Sequence, residues 1–166
     1  MSVSKKSSVL LSLMSKYRYI IFSLIIILSI ISCHNISRLN NSIANPEGIT
    51  KLKMKFVNFD SLPNNIYRLS ELEELYLFKN KLKYLPPEIG KLTNLERLII
   101  SSNKLEEIPS EIKNLKKLTK ISLKHNKLKK LPPAIGDLVN LKELYPEFIH
   151  LEELPKEIEN LKNLEY

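Results

Sequence analysis

The sequence predicts an α/β repeat solenoid with a short-stranded parallel sheet on its concave face, joined to an N-terminal segment of a different composition. Two observations carry this reading. From Gly48 onward apolar residues recur in columns 23 residues apart, among them Leu72, Leu95, Leu118, Leu141 and Leu164, with a proline column at Pro63, Pro86, Pro109, Pro132 and Pro155. Before Glu47 there is no acidic residue, and Ile20 to Ile31 form an apolar run.

Taken in chain order, the first element is basic. Lys5, Lys6, Lys16 and Arg18 precede the apolar run, and Ser32 and Cys33 close it. Basic, then apolar, then small is the order of a secretory signal. The run has 12 residues, which as helix is about 18 Å against the roughly 30 Å of a bilayer's hydrocarbon core. It is too short to span comfortably, so residues 1–32 are expected to be a signal peptide. The sequence Ile30-Ile31-Ser32-Cys33 resembles the lipobox of bacterial lipoproteins, departing from it in having Ile30 where Leu is commonest and in the length of the basic region. The resemblance implies a diacylglycerol on the Cys33 sulfur, cleavage just before it, and usually acylation of the new amino terminus. Several acyl chains give durable anchoring, at about 0.8 kcal/mol per buried methylene. The alternatives are a plain secretory signal in which Cys33 is incidental, and an uncleaved signal anchor. Residues 33–47, rich in Asn and Ser, bury little and read as a polar tether.

The repeat region covers 48–166, with units 48–70, 71–93, 94–116, 117–139 and 140–162 and a partial unit 163–166. The central unit reads N-L-E-R-L-I-I-S-S-N-K-L-E-E-I-P-S-E-I-K-N-L-K. This resembles the leucine-rich repeat family, L-x-x-L-x-L-x-x-N-x-L followed by x-x-L-P-x-x-I-x-x-L, and the resemblance implies a leucine-rich-repeat solenoid. Elementary energetics agree. Each unit alternates with period 2 over its first segment, as at Leu75 and Leu77, which suits a short strand with one buried face. One unit buries about seven aliphatic side chains at roughly 1.5 to 3 kcal/mol each, yet orders its whole length at about 1 to 2 kcal/mol per residue. It cannot fold alone, whereas stacked units share a core.

Asn80, Asn103 and Asn126 occupy one column at the strand's end, where a buried amide bonds to backbone groups left unpaired; a structural ladder is expected. The terminal units depart from the pattern. Met54 and Val57 replace Leu and Asn in the first. In the fifth, Pro146 takes a strand core position and Ile149 the Asn position, so strand pairing is expected to stop near Tyr145 and the Asn bond to be lost. An uncapped C-terminal end would expose apolar core and an open sheet edge, inviting self-association or marking a truncated fragment.

In this family partners usually bind the strand face at its non-leucine positions. The sequence places there an exposed apolar cluster of Tyr76, Phe78 and Ile99, flanked by Lys53, Lys55, Arg97, Lys120 and Lys124, a combination typical of protein-binding hot spots. Solvated surface is the plainer alternative.

Composition excludes several classes. The chain carries a formal charge of +8, but four cations belong to the signal, leaving 22 Lys and Arg against 18 Asp and Glu, or +4. No Arg-rich stripe points to nucleic acid. One Cys and three scattered His give no metal spacing, and three Gly give no phosphate loop. Asp60 and Asp137 are the only aspartates, so His125 with Ser101, Ser102 and Ser122 lacks an oriented acid for a triad. No catalytic, metal or cofactor residue is expected. The reading is a membrane-anchored repeat protein that recognises a protein or peptide on its concave face at the bacterial cell envelope, facing outside the cytoplasm, with adhesion or host contact as its use. The alternatives are a non-catalytic structural or signalling scaffold of the intracellular repeat type, or a truncated fragment.

Overall fold

The computed structural model describes residues 46–147 and 149–165. The N-terminal segment 1–45, with the expected signal peptide and Cys33, and Phe148 lie outside them. Five strands form one parallel sheet in sequence order: β1 (Lys51–Lys53), β2 (Glu74–Tyr76), β3 (Arg97–Ile99), β4 (Lys120–Ser122) and β5 (Glu143–Tyr145). Each strand pairs with the next in a 23-residue register, Leu52 against Leu75, Leu75 against Leu98, Leu98 against Ile121 and Ile121 against Leu144.

The strands are short because the sequence alternates only briefly before the backbone turns. Phe56, Lys79, Ser102 and His125 form a column just beyond the strands with φ between 54° and 59°. These are left-handed conformations that non-glycine residues rarely adopt, and they swing each unit away from the sheet. The return path runs through five-residue 3₁₀ segments: Asn64–Arg68, Pro87–Lys91, Ser110–Asn114, Pro133–Asp137 and Lys156–Asn160. A column proline precedes each one, with φ from −61° to −73°. Proline's fixed φ suits the entry to a helical turn. The column therefore starts the outer segment as well as ending the extended stretch.

Between sheet and 3₁₀ segments lies one continuous core. The Leu72, Leu75, Leu82, Leu92, Leu95, Leu105, Leu115 and Leu118 side chains have no solvent exposure, and Ile66 and Ile89 enter the same core from the outer segments. The outer segments stack tightly. A Cβ added to Gly136 would sit 2.3 Å from the Glu157 carbonyl oxygen of the next unit, and one added to Gly90 2.8 Å from that of Glu111.

The last strand ends at Tyr145 as expected, but so does every strand in that column, and Pro146 is not the cause: the Leu123 amide donates to the Tyr145 carbonyl at 2.9 Å and the His125 amide, past the proline, to the Glu147 carbonyl at 3.2 Å. The same bonds recur in earlier units, from Ile100 to Ser122 and from Ser102 to Lys124. In this column every amide donates forward, to the following unit, and every carbonyl that accepts lies in the following unit. The amide that Pro146 lacks would have pointed outward beyond β5, so its loss breaks nothing in the ladder. Ile149, in turn, has no amide side chain to offer, and it is half-buried among the aliphatic residues packed on the core.

Candidate functional site

The asparagine column joins neighbouring units from within. Asn103 Oδ1 accepts from the Leu82 amide at 3.2 Å, while its Nδ2 donates to the carbonyls of Leu77 at 2.7 Å and Ile100 at 3.0 Å. Asn126 repeats this with the Leu105 amide and the Ile100 and Leu123 carbonyls. Asn80 accepts from the Val57 amide at 2.9 Å and donates to the Met54 carbonyl at 3.0 Å. All three are buried. A second, exposed series was not foreseen: Asn94, Asn140 and Asn163 each donate at 2.8 Å to the carbonyl 24 residues earlier, of Ser70, Lys116 and Val139 respectively.

On the strand face the outward residues stand in rows set by the register. The first row runs Lys51, Glu74, Arg97, Lys120, Glu143 and the second Lys53, Tyr76, Ile99, Ser122, Tyr145. Beyond the strands follow Lys55, Phe78, Ser101, Lys124 and Glu147, then Phe56, Lys79, Ser102 and His125.

Tyr76, Phe78 and Ile99 are half-buried where a fully exposed apolar cluster was expected, and neighbouring cations lie on the rings of Tyr76 and Phe78. Lys51 Nζ and Lys53 Nζ stand 5.4 Å and 5.2 Å from the centre of the Tyr76 ring. Phe78 meets Phe56 edge to face, with centroids 6.1 Å apart, and Lys79 Nζ is 5.3 Å from both rings. Long lysine stems cover apolar surface while their heads stay in water, and the ring faces attract those heads.

The Tyr76 arrangement recurs at the other end of the sheet, where Tyr145 holds Lys120 Nζ at 5.0 Å and Lys124 Nζ at 4.5 Å from its ring. In both places the phenol donates to the glutamate two residues earlier: Tyr76 to Glu74 at 2.9 Å and Tyr145 to Glu143 at 2.6 Å. Sequence reasoning did not single out Glu143 or Tyr145, although the string Glu-Leu-Tyr at 74–76 repeats unchanged at 143–145.

Carboxylates tie the cations into pairs. Glu74 binds Lys51 and also Arg97, the latter at 3.1 Å. Glu143 binds Lys120 at 2.5 Å and Glu147 binds Lys124 at 3.0 Å. Hydrogen bonds from Lys51, Lys120 and Lys124 hold the carboxyls of Glu74, Glu143 and Glu147, respectively, below the usual carboxylate range. The same bonds raise the Lys51 and Lys120 ammonium groups, and the bond to Glu143 raises the Tyr145 phenol. Between the two tyrosines the floor is small and closed. Ser101 and Ser122 are buried, with their hydroxyls bonded to each other at 2.8 Å. Among the described residues no group of three or more His, Cys, Asp or Glu could hold a metal. The face carries aromatic rings, cations and acceptors in fixed rows.

A family model described as "Leucine rich repeat" matches residues 93–145, and one described as "Leucine Rich repeats (2 copies)" matches residues 70–114. Among solved structures, the chain is similar to a leucine-rich repeat protein of Leptospira interrogans at 28% identity and a TM-score of 0.55, over 76% of this chain and 44% of that one. It is also similar to the leucine-rich repeat domain of the type III effector XopL at 25% identity and a TM-score of 0.67, over 80% of this chain and 48% of that one. The chain thus spans less than half the length of either structure. Among curated proteins there is no match.

Proposed function

The chain belongs to the leucine-rich repeat family, and from that premise we propose that it is a membrane-tethered recognition protein of the bacterial cell envelope, binding a protein partner on its strand face. Repeat domains of this family generally bind protein partners and are in general non-catalytic scaffolds. The observation that carries the reading is the strand face itself, where Tyr76, Phe78 and Tyr145 are held in place by lysines and offer rings and charges together. Preorganised aromatics among cations suit a protein interface, because little side-chain freedom remains to be lost on binding. The N-terminal order of basic residues, apolar run, Ser32 and Cys33 supports lipid attachment at Cys33 and a position outside the cytoplasm.

Two experiments test this. A partner captured by the chain should lose at least about tenfold in affinity to the Tyr76→Ala/Phe78→Ala double variant, as removal of a hot spot does. Unchanged affinity would move the site off this face. For the anchor, radioactive palmitate should label the chain but not Cys33→Ala; equal labelling would sink the lipoprotein assignment.

A further inference from the structure

The charge of the repeat region is distributed unevenly. Residues 48–166 hold 21 Lys and Arg against 17 Asp and Glu. Where the strands end, three columns run across the units: Lys55 to Glu147 and Phe56 to His125, described above, and, past the buried asparagines, an exposed column of Asn58, Lys81, Lys104, Lys127 and His150. These columns hold six cations, Lys55, Lys79, Lys81, Lys104, Lys124 and Lys127, and one carboxylate, Glu147, which leaves 15 against 16 elsewhere. The whole positive excess therefore lies on this rim. Its third column is regular: the Lys81, Lys104 and Lys127 amides donate to the carbonyls of Phe59, Leu82 and Leu105, each in the preceding unit. The ion pairs among the described residues engage Lys51, Arg97, Lys120, Lys124 and Lys129, and none of this column. Like charges stacked side by side repel, and the potential they share attracts anions.

We infer that this rim binds a short acidic tract of the partner protein, several Asp or Glu in succession, lying across the first four units beside the strand face. The boundaries of the strip carry the inference. From Lys55 in the first unit to Lys124 and Lys127 in the fourth is three unit spacings, about 14 Å at ~4.8 Å each, the length of about four extended residues at ~3.4 Å. Beyond the fourth unit the sign reverses, for residues 140–166 hold three Lys and seven Glu. Outward of the lysine column, the columns that begin at Asp60 and Ser61 hold five carboxylates and three lysines. A long polyanion or a broad anionic surface would therefore meet carboxylates on two sides, whereas a short acidic tract fits within the strip. Lys79, whose ammonium stands over Phe56 and Phe78, joins the strip to the aromatic part of the strand face, so that one partner can meet both. This inference rests on the strand face being the recognition surface.

The test is fluorescence anisotropy of the full chain with labelled Glu-Glu-Glu-Glu-Glu, extended by Gly at both ends, beside the same peptide with Gln for Glu. The Glu peptide should bind more tightly, weaken as salt screens it, and lose at least about fivefold in affinity to the Lys81→Gln/Lys104→Gln/Lys127→Gln variant. Lys91→Gln/Lys113→Gln/Lys162→Gln removes the same charge from exposed positions away from the strand face and should leave binding within about twofold. Every substituted lysine is exposed, and an unchanged melting temperature will show that the variants fold. Equal binding of the two peptides overturns the inference, as does an equal loss in the two triple variants, which would mark a response to net charge alone. If phosphatidylglycerol vesicles or dextran sulfate bind more tightly per charge than the Glu peptide and lose that binding in the first variant, the rim serves a lipid surface or a polyanion and the acidic tract is overturned. If a captured protein depends on Tyr76 and Phe78 but not on the lysine column, the recognition surface stands and only the acidic tract falls.

Discussion

The Asn103 side-chain amide donates at 2.7 Å to the carbonyl of Leu77, a residue of the preceding unit, while its oxygen accepts from the Leu82 amide of that same unit. One buried side chain thereby closes the end of its own strand and fastens it to its neighbour. Asn103→Ala leaves the Leu82 amide and the Leu77 carbonyl without it and should destabilise the domain by about 1 to 3 kcal/mol. Urea unfolding checks this, and an unchanged midpoint would remove the ladder from the account of stability.

Stacking of the outer segments sets a second expectation. Gly136→Ala places a methyl 2.3 Å from a backbone oxygen, which only a shift of the whole segment relieves. The expected loss is about 1 to 3 kcal/mol by thermal unfolding. Lys113→Ala, in the same column but exposed, should change stability by less than about 0.5 kcal/mol.

The left-handed column gives a test of opposite sign. Ser102 has φ of 59°, a conformation costing an L-residue roughly 1 to 2 kcal/mol. Ser102→Gly removes that strain against an entropy penalty of about 0.5 to 1 kcal/mol, so it should be neutral to stabilising by up to about 1 kcal/mol. Ser102→Val, branched at Cβ, should destabilise. Equal melting temperatures for the two variants would contradict the turn geometry.

Acid should loosen the strand face. Glu74, Glu143 and Glu147 sit below the ordinary carboxylate range because lysines bond them. Their contribution is therefore present above the unfolded carboxylate pKa of about 4.3 and lost as pH falls through their lower folded values. Stability followed from pH 6 downward should decline at the acid end, and Glu74→Gln should flatten part of that decline. A variant curve parallel to the native one would show that the pairs add nothing.

At the β5 edge of the described sheet, Pro146 lacks the amide that a further strand would accept from. Restoring an amide at the outward edge of β5 with Pro146→Leu supplies one donor, worth about 0.5 to 1.5 kcal/mol, to any strand that docks there. Analytical ultracentrifugation should show self-association strengthened by about two- to tenfold. If it weakens, the proline does not guard the edge.

The repeat columns and the buried asparagines were legible because they are periodic: Leu75, Leu98 and Ile121 announce themselves by spacing alone. The left-handed column was not, since Phe56, Lys79, Ser102 and His125 share no chemistry and none is a glycine. The half-burial of Tyr76 was missed for a different reason. Its row position was correct, but its environment depends on where Lys51 and Lys53 from the neighbouring strand rest their stems, and spacing does not encode that. Pro146 was read as a break because the direction of the ladder decides whether a missing amide matters, and a proline letter carries no direction.

The unchanging register has one more consequence. Because each unit is bonded to the next in the same way, the distance between the two Glu-Leu-Tyr strands is a count of units. A duplication of one unit between β3 and β4 would move Tyr145 away from Tyr76 by about 4.8 Å with every backbone bond rebuilt as before. The domain is in that sense a ruler, whose gene can lengthen or shorten the span between the two tyrosines by whole steps without inventing a new backbone contact.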